Sequence, residues 1–182
     1  MSRMEQLETR RLLASPELDL AFGDLPLPPG PFEHRKLLRD PYVLLVPADW
    51  AFAAPVSPLS ASDLEGLKLI GPSGGPAAMA VETALRGHGM DPVYAFRTST
   101  PAAVQALVAA GMGAAITSQL CVNQDDDRTL AVPLGDLIAP RVIAVYWNAE
   151  RRHSPAVNAF LDRALAVCVE EASGAPIPAL AA

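Results

Sequence analysis

The chain has few of the residues that carry common chemistry: two cysteines and three histidines in 182 residues, with aromatics at 5%. Two thiols in a chain whose start, MSRMEQLETRR, has no apolar leader fit a reducing cytoplasm rather than a disulfide scaffold. Long hydrophobic runs are absent too, and none approaches the roughly 18 residues of a membrane span. Basic residues are outnumbered by acidic ones, 14 to 20, giving a net charge of −6. That balance argues against a phosphate-binding surface, which needs clustered Lys and Arg. The short basic groups Arg10–Arg11, His34–Lys36 and Arg151–Arg152 read as solvated helix ends or loops.

Catalytic signatures are missing as well. The chain has no G-x-S-x-G elbow, no H-E-x-x-H, no C-x-x-C and no paired carboxylates. His34, His88 and His153 are scattered. The stretch Gly71–Gly75 lacks both the Lys-Ser/Thr of a P-loop and G-x-G-x-x-G spacing. Asp125–Asp127 has no neighbouring metal-ligand set and reads as a solvated turn. The expectation is therefore no enzyme, no cofactor and no metal. Cys168 shares an apolar helical stripe with Val157, Phe160, Leu161 and Leu165, so it reads as a small core side chain.

What is present is concentrated in Tyr94–Gln119, YAFRTSTPAAVQALVAAGMGAAITSQ. Tyr94–Arg97 is strand-prone. Thr100 is a good N-cap, and Pro101 suits the first helical position, where no N–H is required. Val104, Leu107, Val108 and Gly111 keep helical spacing, so one face is apolar. Gly111 and Gly113 end the helix and turn the chain into the strand Ala114–Thr117. Thr98–Thr100 and the first helical N–H groups then lie at the carboxyl end of a strand, where α/β sheets hold ligands. A capped βαβ unit without a ligand explains the same pattern.

Elsewhere the sequence predicts a helix over Gln6–Leu13, strands at Leu18–Phe22 and Tyr42–Val46, and a stiff connector at Leu25–Pro31. The unbroken apolar run Tyr42–Val46 implies a sheet covered on both faces. A loop at Pro47–Pro58 leads to a turn at Ala61–Gly66 capped by Ser60 or Ser62, then a strand at Leu67–Ile70. The Gly71–Pro76 turn opens a helix at Ala77–Arg86 and serves either as a plain turn or as backbone donors facing a ligand. Further strands fall at Thr129–Leu134 and Val142–Trp147. A last helix spans Pro155–Glu171 with Ser154 as its cap, and Gly174–Ala182 reads as a frayed tail. Alternating β and α elements predict an α/β fold with mainly parallel sheets.

The stretch TPAAVQALVAAGMGAAITSQ resembles the second-subdomain signature of the effector-binding domain of LysR-type transcriptional regulators. LLASPELDLAFGD, HRKLLRDPYVLLVPADWAFA, SASDLEGLKLIGPSGG and RRHSPAVNAFLD resemble that family's other landmarks, in order, over about Gln6–Glu171. The resemblance implies a two-subdomain, periplasmic-binding-protein-like fold. Residues 1–56 with part of 142–171 would form the first subdomain, 57–141 the second, and 172–182 a flexible tail. Against the family's pattern, this chain opens inside the helix before the LDLAF strand. The helix-turn-helix, linker helix and first strand have no counterpart, so the first subdomain is expected to be incomplete.

The resemblance also implies which residues would contact a small effector. They are Ser73 and Gly74, Thr98, Ser99 and Thr100, and Ala115, Ile116 and Thr117, faced by Phe22, Gly23 and Asp24. Helix N-termini beside two of these loops suit a carboxylate. The implied partners are that effector and a second copy of the chain, with no membrane and no specific DNA binding by this chain alone. Two rival readings stand beside it: a cytoplasmic solute-binding domain independent of any regulator, and an enzyme on a related two-lobed fold.

Overall fold

A computed structural model describes residues 3–26, 29–50, 59–98 and 100–172. Helix α1 (Arg3–Ala14) stops at Ser15, whose hydroxyl donates to the Leu12 carbonyl at 3.0 Å, in place of a further turn before Pro16. Strands β1 (Ala21–Asp24), β2 (Phe32–Asp40) and β3 (Tyr42–Pro47) follow. A 3-10 turn at Ala61–Leu64 is preceded by Ser60, whose N–H and hydroxyl both donate to the Asp63 carboxylate at 2.8 and 2.6 Å. Then come β4 (Leu69–Pro72), α2 (Pro76–Gly87), β5 (Tyr94–Thr98), α3 (Pro101–Ala109) and β6 (Ala115–Ser118). Strands β7 (Thr129–Pro133) and β8 (Arg141–Asn148) precede α4 (Pro155–Ala172), where the Ser154 hydroxyl accepts from Val157 N–H at 3.3 Å. The first strand begins at Ala21 rather than Leu18. The expected tail at 174–182 and most of the loop expected at 47–58 lie outside the described residues.

The chain forms two compact units, Arg3–Arg39 with the stretch from Val142 onward, and Asp40–Arg141. This moves the boundary from residue 56 to residue 39. Strand β3 pairs with β6 and β7, inside the second unit.

In the first unit the sheet order is β1-β8-β2, with β1 antiparallel to β8 in the register Ala21↔Tyr146 to Asp24↔Ile143. Alternation along β8 divides its side chains between two small cores. Val145 and Trp147 pack with Val157 and Leu161 of α4, while Tyr146 packs with Leu13 of α1 and Ala21. Phe160 departs from the expected stripe: it is 50% exposed and meets Phe22 edge to face at 6.1 Å.

The second unit is built on strands in the order β5-β4-β6-β3-β7. The pair β4–β5 is joined to β6-β3-β7 by a parallel bridge, Leu69↔Ala114. Ile70 N–H donates to Ala114 O at 2.7 Å and Ala114 N–H to Lys68 O at 3.0 Å. A Cβ on Gly113 would overlap the Lys68 carbonyl, so only glycine permits this approach. Helices cover both faces. Leu44, Val46, Leu69 and Ile116 pack with Val81 and Leu85 of α2, and Leu45, Ile70 and Ala115 pack with Val104 and Val108 of α3. The continuous apolar run of β3 is thus buried on both sides, as its sequence implies.

The α/β class stands, but the sheets are not mainly parallel. Among the described residues β4–β5 and the Leu69↔Ala114 bridge are parallel, whereas β1–β8, β3–β6 and β3–β7 are antiparallel. Parallel pairing follows the run β4–α2–β5–α3–β6, where a helix returns the chain after each strand. Strand β3 follows β2 after Pro41 alone, with no such crossover, and runs against both its neighbours. Among the described residues, no helix is long and apolar enough to cross a membrane and no group of metal ligands occurs.

Asp40 sits where the chain enters the second unit and Arg141 where it leaves. The Asp40 carboxylate is fully buried and accepts from Arg141 Nε at 2.7 Å and Nη2 at 2.6 Å. Its other oxygen accepts Leu120 N–H at 3.0 Å. A buried carboxylate with all its partners supplied becomes costly when one partner is lost. Asp40→Asn keeps the shape and an acceptor for Leu120 but removes the charge opposite Arg141. Urea unfolding should show a loss of about 3 kcal/mol; a loss below about 0.5 kcal/mol would contradict the role assigned to this pair.

Candidate functional site

Helix α3 is fixed at both ends by its own sequence. Thr100 is extended (φ −124°, ψ 139°) and its hydroxyl accepts Ala103 N–H at 3.3 Å, so it is the N-cap expected. At the other end Gly111, with φ 73°, donates to Val108 O at 2.8 Å, and Met112 N–H reaches Leu107 O at 3.1 Å. One polar residue within the helix is buried: Gln105 donates to Asn123 O at 2.9 Å and Thr129 Oγ1 at 3.0 Å, and accepts Asn123 N–H at 2.8 Å. These bonds tie α3 to β7 and the turn before it.

The parallel register of β4 with β5 ends at Pro72↔Thr98, and Ser73 N–H donates to Thr98 O at 2.9 Å. The loop before α2 and the loop before α3 are therefore neighbours at one edge of the second unit. Thr117 lies at the carboxyl end of β6, the third parallel strand of this group, and is half-buried. Gly74 and Gly75 turn the chain with φ of 153° and 97°, and Pro76 starts α2. Neither α2 nor α3 has an acidic residue in its first turn. Each N-terminus thus keeps its partial positive charge and its donors uncompensated by a local carboxylate. The arrangement is suited to a small anion with hydrogen-bonding oxygens.

Of the residues expected to contact an effector, the structure brings Ser73, Gly74, Thr98, Thr100 and Thr117 to this edge, Ser73, Gly74 and Thr100 being exposed. Ala115 and Ile116 are committed elsewhere: their side chains are buried on opposite faces of the sheet in the two cores, paired with Leu45 and Leu44. They hold β6 in place and present no side chain to a ligand. Ser99 lies outside the described residues. Phe22, Gly23 and Asp24 form the end of β1 in the first unit, with Phe22 48% exposed.

Sequence reasoning missed a cluster beneath the Gly71–Gly75 loop. A bulge at Ala95, where the register steps from Leu69↔Tyr94 to Ile70↔Phe96, turns Tyr94 and Arg97 to the α2 face. The Tyr94 ring occupies the space where a Cβ of Gly71 would be. Above that ring stands the Arg97 guanidinium, 4.0 Å from its centroid. Arg97 Nη2 donates to Glu82 Oε1 at 2.8 Å and Nη1 to the Pro72 carbonyl at 3.1 Å. Burial pushes the Tyr94 phenol up, helped by the Glu82 carboxylate, so the ring stays neutral. No local signal announced this cluster, since it depends on a bulge and on a helix twelve or more residues away.

Comparison with known proteins now decides the family. The description "LysR substrate binding domain" matches residues 2–169. The chain belongs to the LysR substrate-binding-domain family. Solved structures agree on the fold. HinK, a LysR family transcriptional regulator from Pseudomonas aeruginosa, superposes with a TM-score of 0.78 at 20% identity, over 88% of this chain and 57% of that one. The regulatory domain of Synechocystis PCC6803 CcmR, in complex with 2-PG, gives 0.75 at 21% identity over 88% and 78%. The BenM effector binding domain with its effector benzoate gives 0.74 at 19% identity over 98% and 80%. The fold is thus the two-subdomain, periplasmic-binding-protein-like α/β fold of LysR effector-binding regulatory domains. The chain spans about 57% of the length of the first structures it matches. No curated protein sequence matches it.

In this LysR-family domain the bare Cα of Gly71 is a steric requirement. Gly71→Ala forces the Tyr94 ring off its place under Arg97 and should cost about 1–3 kcal/mol in thermal or urea unfolding. An unchanged melting temperature would show that the ring has another place to go.

Proposed function

We propose that this chain is a small-molecule sensor: the effector-binding part of a LysR-type transcriptional regulator, taking a small carboxylate at the N-terminus of α3. One observation carries the reading. The parallel register and the Ser73–Thr98 backbone bond bring two helix N-termini, both free of first-turn acids, to the same sheet edge. Thr100 is spent on capping its own helix, so the hydroxyl of Thr98 is the better placed to meet a ligand, with Ser73, Gly74 and Thr117 beside it. Ser99 joins them by its position in the sequence. The benzoate of the BenM domain, a carboxylate, supports the same ligand class.

The role is binding rather than catalysis, carried out in the cytoplasm by a homo-oligomer, with no specific DNA contact by this chain, whose net charge is −6. Light scattering that finds a strict monomer, or a gel shift resistant to competitor DNA, would remove the corresponding part.

The site is tested by calorimetry against a panel of aromatic and aliphatic carboxylates. For the acid that binds, Thr98→Val should weaken affinity about ten- to a hundredfold, the worth of one hydrogen bond to a charged group, with little change in melting temperature. Thr100→Ala should instead lower stability by about 1 kcal/mol, because it removes the cap. An acid bound equally well by Thr98→Val would place the site elsewhere.

A further inference from the structure

We propose that Arg97 is a positioning residue for the effector loop, holding Pro72–Gly75 in the shape that presents the Gly74 and Gly75 N–H groups to an anion. This rests on the sensor reading above, but the residue and its geometry stand outside the ligand contacts of that reading. The loop between β4 and α2 has little to fix it from within. Gly74 and Gly75 are consecutive, both with positive φ, so they bring no side chain and the greatest conformational freedom of any residue. Its outer anchor is the bond from Ser73 N–H to Thr98 O. Its inner anchor is the Pro72 carbonyl, which accepts from Arg97 Nη1 at 3.1 Å.

Arg97 is itself held from two further directions. Glu82, on the second turn of α2, takes Nη2 at 2.8 Å, and the Tyr94 ring lies 4.0 Å beneath the guanidinium. Glu82 also meets Arg86 at 3.5 Å, and Arg86 reaches Asp91 at 3.3 Å, so the carboxylate is constrained by two cations. A planar fork on a fixed stack can join the body of α2 to the strand that precedes it, closing a bracket around the loop. A lysine cannot do this, because one ammonium has no second prong with fixed direction. The guanidinium side chain is 41% exposed, so its worth lies in geometry rather than in global stability.

The test uses backbone 15N relaxation on the whole chain, with melting temperature alongside. In the wild type, Ser73, Gly74 and Gly75 should show order parameters close to those of β4. In Arg97→Gln they should fall toward the flexible range, below about 0.6, while α3 and the rest of the sheet keep their values. Arg97→Lys, which retains the charge for Glu82, should loosen the loop nearly as much; Tyr94→Phe, which keeps the ring, should leave it ordered. Melting temperatures of all three should stay close to wild type. Unchanged loop order in Arg97→Gln, or full rescue by lysine, would overturn the proposal. A separate arm titrates wild type and Arg97→Gln with benzoate and with inorganic phosphate. Weaker binding by the variant, about three- to tenfold, agrees with positioning. If the wild type binds neither, the sensor site loses support, and the relaxation data still decide what Arg97 does.

Discussion

Parallel pairing of β4 with β5 on one side and β6 on the other is the constraint from which the second unit follows. It requires a crossover helix after β4 and another after β5, and those are α2 and α3. Both helices must then start at the same edge of the sheet, because each begins where its strand ends. The anion-suited edge is therefore a consequence of strand direction. Gly113 is part of the same constraint, since any side chain there would push β6 away from the Lys68 carbonyl and break the bridge that joins the two halves of the sheet.

Much of this was legible because its chemistry is local. Thr100, Pro101, Gly111 and Gly113 mark the ends of α3 by capping rules that act within a few residues, and the helix runs from Pro101 to Ala109, between those marks. The unbroken apolar run of β3 announced burial on both faces for the same reason. Strand direction was less legible. Alternation of elements predicts parallel sheets, but β3, β7 and β8 are not each followed by a crossover helix, and their partners are set by contacts distant in sequence. The division of the compact units after residue 39 was not legible either, because β2 runs into β3 with Pro41 alone between them and which sheet each strand joins is set by distant partners.

The candidate site divides along the same line. Loops before capped helices can be found from sequence, and Ser73, Gly74, Thr98 and Thr100 do come together. Ala115 and Ile116 were implied by family resemblance alone, and their side chains are spent on the cores. The Tyr94–Arg97–Glu82 cluster needs the bulge at Ala95 and the missing Cβ of Gly71, which no periodicity records. Buried polar anchors were equally silent: Asp40 with Arg141, and Gln105 with Asn123, look like ordinary surface residues until their partners are known.

In the proposed sensor, the N-termini of α2 and α3 together accept a small carboxylate. The most direct measurement is a 1H–15N titration of the chain with a panel of such acids, read residue by residue. Saturable shifts are expected to be largest at the amides of Ser73–Gly75 and Ala102–Val104, the residues around the two helix N-termini. Saturable shifts centred elsewhere in the second unit, for instance on Asn123–Arg128, would contradict it, as would no saturable shift with any acid of the panel.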